Sequence, residues 1–480
     1  MIGKLDLNDL VRSFSLLLSI SLPAVFFYFG ENRYVDSGTI ALSILMCLFL
    51  VVALTVEKDR TNPFIVLGAL YFLLFYILRV VTLNIEPYTR GMNLVSERDF
   101  SDVNRTLLFM LCAIFFLFLG LFTNRISKIP AVIHEYRCAS RFGVMVLVVI
   151  TMLVLYLYRL TVSFNGSEVL GYYLRVFSPN SVMLLFLVFY FVTNKFSRSH
   201  EKKIFLFYVA AAFIVLITLV GGRKTLLVLI LTMGVILYVL HNRLFLSIKG
   251  LLLIISVGVI SFVLYDLSTF LRWTRYSQLY LDGQSLNYFQ ILETYLSKGF
   301  FQTEGLVKIF DRLGFLDYEV DSMASAELYR KAVNPIYYGK SIIDNVSPGL
   351  SFFDTLKAGQ AKIFLQYFGY IPTYDDYKNI KYTSQMFGGV SELYIFFYGY
   401  YSLPFFYVAG FLFSYIYSRI NFNDIYYLVL WRSFILLSFV SGAGFLESFG
   451  FDWYVVASAY MLVAFLITYP IFKNKGREVS

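Results

Sequence analysis

Charge is scarce in this chain, and so are the residues that build most soluble active sites. Charged residues make up 15% of the sequence, against about 25% in an ordinary soluble domain. The three cysteines, Cys47, Cys112 and Cys138, lie in or near the first apolar runs. They suggest neither a disulfide framework nor a CxxC metal or redox pair. There is no Walker loop, no dinucleotide fingerprint and no HExxH, so an ATP-driven pump is disfavoured and no metal or cofactor is expected. The three histidines, His134, His200 and His241, will matter once the sides of the molecule are assigned.

What is abundant is apolar. Hydrophobic residues reach 59% and mean hydropathy is +0.69. Runs of bilayer length, roughly 17–25 residues, fall at about 14–30, 37–55, 63–81, 106–123, 142–160, 176–193, 204–220, 225–241, 250–267, 401–418, 424–440 and 453–472. The expectation is an all-α polytopic membrane protein with about 12 transmembrane helices. Residues 1–267 would hold helices 1–9, 268–390 a large and partly helical periplasmic loop, and 391–480 helices 10–12 with the C-terminal tail. Lys4, Asp6, Asp9 and Arg12 precede the first run, and no small-residue cleavage pattern follows it. That run is therefore expected to be a span and not a cleaved signal.

Charge bias orients the bundle. One set of alternate loops plus both termini carries 18 cations, among them Lys58, Arg60, Lys128, Arg198, Lys202, Lys203 and Lys473. The opposite short loops carry 7: Arg33, Arg90, Arg98, Arg105, Arg175, Arg223 and Lys224. The positive-inside rule then makes both termini cytoplasmic and turns the large loop outward. It also accounts for the net charge of +9 without nucleic acid as a partner. All three histidines map to the cytoplasmic side, so an outward site must use a carboxylate as its base. The first outward loop holds only Glu31 and Asp36. It lacks the adjacent acidic pair of a metal-dependent, dolichol-phosphate-sugar type of transferase.

Within the large loop, helical periodicity marks Leu286, Phe289, Leu292, Tyr295 and Leu296, then Leu306, Phe310 and Leu313, and Ser351 opens a further stretch. Such helices are expected to pack flat on the outer ends of the bundle. Several charges stand out. Arg432 sits near the middle of the eleventh run, where an arginine normally faces a polar cavity or an acid. Arg79 and Arg159 lie close to the outer ends of their spans, where snorkelling to the interface accounts for them. Arg223 and Lys224 follow Gly221-Gly222 in an outer turn, where a guanidinium can reach a headgroup phosphate or a diphosphate. Arg272 and Arg275 begin the large loop between aromatic residues. Among outward acids, Glu392 stands where the chain re-enters the membrane, and Glu447 on a glycine-hinged stretch able to dip back into the protein.

With these features the chain resembles the Wzy-type polymerases of bacterial surface polysaccharides, the O-antigen or oligosaccharide repeat-unit group. The likeness lies in the order of spans, the late outer loop, the Gly221-Gly222-Arg223-Lys224 turn, and Phe368-Gly369-Tyr370-Ile371-Pro372 leading to Gly388-Gly389-Val390-Ser391-Glu392. Arg223 to Gly234 and Arg272 to Gly283 also fit the Arg-x10-Gly spacing of some members. The resemblance implies a metal-independent glycosyltransferase of the bacterial inner membrane, acting in lipopolysaccharide or related glycan synthesis. It would move a growing glycan from undecaprenyl diphosphate onto a newly flipped repeat unit. Glu392, Arg223 and Arg272 become the candidate catalytic residues. Arg275, Arg432, Lys224, Arg159 and Glu447 become the candidate substrate-binding ones. The implied partners are lipid-linked glycans, the bilayer, a chain-length regulator and a flippase. An O-antigen ligase-like transferase, a polysaccharide flippase or other transporter, and a structural membrane subunit share parts of this pattern.

Overall fold

The computed structural model describes residues 5–56, 62–85, 98–124, 245–246, 315–332, 336, 339–340, 389–419, 431–432 and 435–436. Their regular structure is helical apart from one short antiparallel pairing, β1 (Leu5–Asp6) with β2 (Phe245–Leu246). Four helices are long and apolar enough to cross a membrane: α1 (Leu7–Phe29), α2 (Ser37–Val56), α3 (Pro63–Ile85) and α4 (Phe100–Thr123). Helix α1 begins well before the hydropathy run at 14, because Asp9 and Arg12 pair across one turn at 2.9 Å and keep its polar start helical. Then come α5 (Phe315–Ala324), α6 (Ala326–Ala332), α7 (Gly389–Phe396) and α8 (Leu403–Arg419). Helices α7 and α8 together make a fifth candidate span, bent by 115° at the short turn Gly399–Ser402.

Polar side chains fix where the helices end. Asn62 accepts from the Phe64 amide and precedes Pro63, a cap followed by a residue that needs no donor of its own. Asp99 caps α4 by accepting from the amides of Ser101 and Asp102. At the start of α2, Asp36 accepts from the Thr39 amide at 2.8 Å and from Asn104 of α4 at 2.9 Å. These bonds outweigh the cost of partial burial and hold the Asp36 carboxyl below its usual range.

Two ends of the bundle follow. Asn8 donates to the Leu54 carbonyl, Asn62 to Leu121 and Asn124 to Ser418, and this is the end that carries the N-terminus. At the far end Asn32 donates to the Leu83 carbonyl, Arg33 to that of Arg98, and Arg105 to the Tyr394 hydroxyl. The β1–β2 pairing sets residues 245–246 beside the N-terminus, whereas α5 docks at the far end.

Helices α4 and α8 run parallel at the closest approach in the described bundle. A Cβ on Gly120 would lie 2.1 Å from the Tyr407 carbonyl oxygen, and one on Gly410 2.1 Å from that of Leu117. Small residues allow this backbone contact, the usual basis of association between helices in lipid. Helix α3 is the central one, with Phe64, Ile65, Leu73, Tyr76, Ile77, Val80 and Leu83 all fully enclosed. Helices α1 and α2 instead carry Leu17, Ile20, Phe27 and Val52 outward, each at least 60% exposed. An apolar outer surface of this kind fits a bilayer and not water.

Candidate functional site

Helix α5 carries three acids in alternate positions, in Leu316-Asp317-Tyr318-Glu319-Val320-Asp321. On a helix the first and third share a face and the second points elsewhere. The bundle meets each acid with its own partner. Arg79 of α3 grips Asp317 through both arms of its guanidinium, Nη2 to Oδ2 at 2.6 Å and Nε to Oδ1 at 3.0 Å. Both side chains are 2% exposed. Arg98, just before α4, donates to Asp321 at 2.9 and 3.1 Å and to the Ser325 hydroxyl at 2.5 Å. Glu319 accepts from the Ser391 amide at 2.6 Å and from the Tyr76 hydroxyl at 3.4 Å.

One sequence expectation is corrected by this arrangement. Arg79 does not snorkel to the interface. It is buried in a forked ion pair with a residue 238 positions away, and a fork saturated by one carboxylate has no need of the headgroup layer. The described loop helix is itself enclosed, with Leu316, Asp317, Glu319, Val320, Asp321 and Ser322 all buried. The helices expected at 286–296, 303–313 and 351–367 lie outside the described residues.

Burial sets the chemistry of the acids. Complete burial drives the Glu319 carboxyl up to about 7, against the opposing bonds from Ser391, Tyr76 and the Val390 amide. Burial likewise lifts Asp321 to about 6, and the Arg98 guanidinium offsets part of the rise. A carboxyl group that titrates near neutrality can accept or deliver a proton at physiological pH.

Helix α7 is held at both ends by charges that match its dipole. Glu319 sits on its amino end, and Arg330 of α6 donates from Nε to the Ile395 carbonyl at 2.5 Å and from Nη2 to that of Tyr394 at 3.0 Å. The Arg330 guanidinium also lies over the rings of Tyr398 and Tyr394, at 5.0 and 6.0 Å. The chain then turns through Tyr398 and Gly399, both at positive φ, and this left-handed pair makes the 115° break. At the break, Phe396, Phe397, Tyr398, Tyr401 and Phe405 line an open aromatic groove of about 610 Å³.

Of the residues singled out from sequence, Glu392 falls within this cluster. It is 1% exposed on the first turn of α7, next to Ser391, whose amide binds Glu319. Arg432 is not brought to it. The Arg432 guanidinium lies 4.5 Å from the ring of Tyr417, which contacts Phe64 near the start of α3. Phe64 is 15 residues along α3 from Arg79, or about 22 Å down the axis. Arg223, Lys224, Arg272, Arg275, Arg159 and Glu447 lie outside the described residues. Sequence reading passed over Asp317, Glu319 and Asp321, and the signal available was three acids alternating with apolar residues, which a solvated surface helix has no reason to keep. In comparisons with known proteins the chain matches no family model, no curated protein and no solved structure.

Proposed function

We propose that this protein is a membrane glycosyltransferase that extends a glycan on a polyprenyl diphosphate carrier at the outer face of the membrane. The observation that carries the reading is Glu319. The large loop delivers a carboxyl group, raised to about 7 by burial, onto the amino end of the bent α7–α8 pair beside Glu392. Transfer to a sugar hydroxyl needs a base that takes the proton as the new glycosidic bond forms. A carboxylate poised near neutrality can do this without a metal, either directly or by setting the charge of its neighbour. Arg223 and Arg272 are the proposed cations for the departing diphosphate, whose charge a guanidinium fork can neutralise. The aromatic groove at the α7–α8 break offers a surface on which an isoprenoid chain or sugar rings can pack.

The test is elongation by the purified protein in nanodiscs supplied with lipid-linked repeat units. Wild-type protein is expected to yield a ladder of longer lipid-linked glycans. Glu319→Gln, which keeps the shape and loses the titration, is expected to lower the rate at least tenfold. Elongation that is equal in both proteins would remove Glu319 from the chemistry.

A second reading, a proton-coupled transporter of lipid-linked glycans, is favoured by one observation. A buried acid titrating near neutrality next to a broken helix is also how transporters couple protons to movement. Liposomes separate the two. Translocation that depends on a pH gradient, with no change in glycan length, would favour transport.

A further inference from the structure

At the N-terminal end of the bundle a third arginine is buried, and among the described residues no acid accompanies it. Arg432 is 2% exposed, and its guanidinium lies over the Tyr417 ring. That ring meets Phe64 edge-on at 5.3 Å, one residue into α3, so the guanidinium stands level with the helix ends. Among the described residues no carboxylate pairs with it, and its Nε and Nη2 donors have no acceptor. The indole Nε1 of the preceding residue, Trp431, is also enclosed without an acceptor.

A guanidinium does not lose its proton in a protein, so burial cannot neutralise this charge as it can a lysine. The aromatic side chain beneath attracts the cation, and Nε–H and the Nη2 amine, which share one edge of the guanidinium, remain without an acceptor. Those groups form a planar fork matched to two oxygens of one tetrahedral or planar oxyanion. Helix ends also mark the depth at which the phosphates of a bilayer lie.

We propose that Arg432, stacked on Tyr417, holds a phosphate group at the N-terminal end of the bundle, in a site separate from the acid-bearing cluster. Two sources carry that group at this depth, an anionic phospholipid headgroup and free phosphate. The inference stands independently of the glycosyltransferase reading, because the two sites are about 22 Å apart along α3.

The test uses full-length protein in a non-ionic detergent, with thermal unfolding followed by intrinsic fluorescence. The probes are dihexanoyl phosphatidylglycerol and inorganic phosphate, each compared with sodium chloride at matched ionic strength. Wild-type Tm is expected to rise by about 3 °C at saturating ligand. Arg432→Met should abolish the rise, and Arg432→Lys, a point charge without the fork, should retain less than half of it. A rise with the lipid alone assigns a headgroup, and a rise with phosphate alone assigns a soluble anion. No rise with either, or an equal rise in wild type and Arg432→Met, would overturn the site. If Arg432→Met is not recovered folded, a rise in Arg432→Lys equal to that of wild type overturns it as well.

Discussion

Removing one partner of the Arg79–Asp317 pair tests how the loop helix is held. Asp317→Ala strands a guanidinium that is 2% exposed and that loses two bonds, at 2.6 and 3.0 Å. Breaking a buried pair in this way costs about 3–5 kcal/mol, because the surviving charge stays desolvated without a partner. At about 2 °C per kcal/mol for a chain of this size, Tm should fall by roughly 6–10 °C. Replacing both partners with leucine removes the stranded charge and should return Tm to within about 2 °C of wild type. Arg79→Ala should also lower Tm, because it strands the Asp317 carboxylate, itself 2% exposed. The assay is fluorescence-detected unfolding of the four proteins in one detergent. Single variants as stable as wild type, or a double variant as poor as the worse single, would refute the docking of α5 on α3.

Two further outcomes follow from the same geometry, and a third from the sequence. Because Glu319 and Asp321 are raised above ordinary carboxylic acids, the folded state binds their protons more readily than the unfolded state. Stability should therefore be greatest below about pH 4.5 for Glu319 and fall as pH rises through about 7, and a Tm-against-pH series in which Glu319→Gln keeps the wild-type slope would contradict this. Gly410→Leu and Gly120→Val should force α4 and α8 apart, since even a Cβ would sit 2.1 Å from a carbonyl oxygen; a monodisperse peak at wild-type yield on size-exclusion chromatography would argue against that contact. Arg223→Ala should shorten surface glycan chains without lowering protein abundance, with Arg223→Lys recovering only part; a wild-type ladder would leave Arg223 as a headgroup anchor.

The sequence made the spans legible because hydropathy is a local property. The runs at 37–55, 63–81 and 106–123 lie within helices that start and stop a few residues away, and the caps Asn62 and Asp99 stand where such residues usually do. Glu392 stood out for the same reason, an acid where apolar sequence resumes, and it is buried on the first turn of α7. Arg79 was misread because its environment is set by Asp317, and nothing near Arg79 in the chain announces that partner. Alternating acids in α5 suggest a strand by period, yet the helix forms because each acid finds a cation or an amide in the bundle. The break at Tyr398–Gly399 could be guessed from its glycine, but its 115° angle depends on how α7 is gripped at both ends.

The surface glycan of a deletion strain tests the central claim most directly. Separated by length, the glycan is expected to collapse from a ladder to single repeat units when the gene is removed. Wild-type protein should restore the ladder, and Glu319→Gln at equal abundance should not. An unchanged ladder in the deletion strain, or full restoration by Glu319→Gln, would contradict the account.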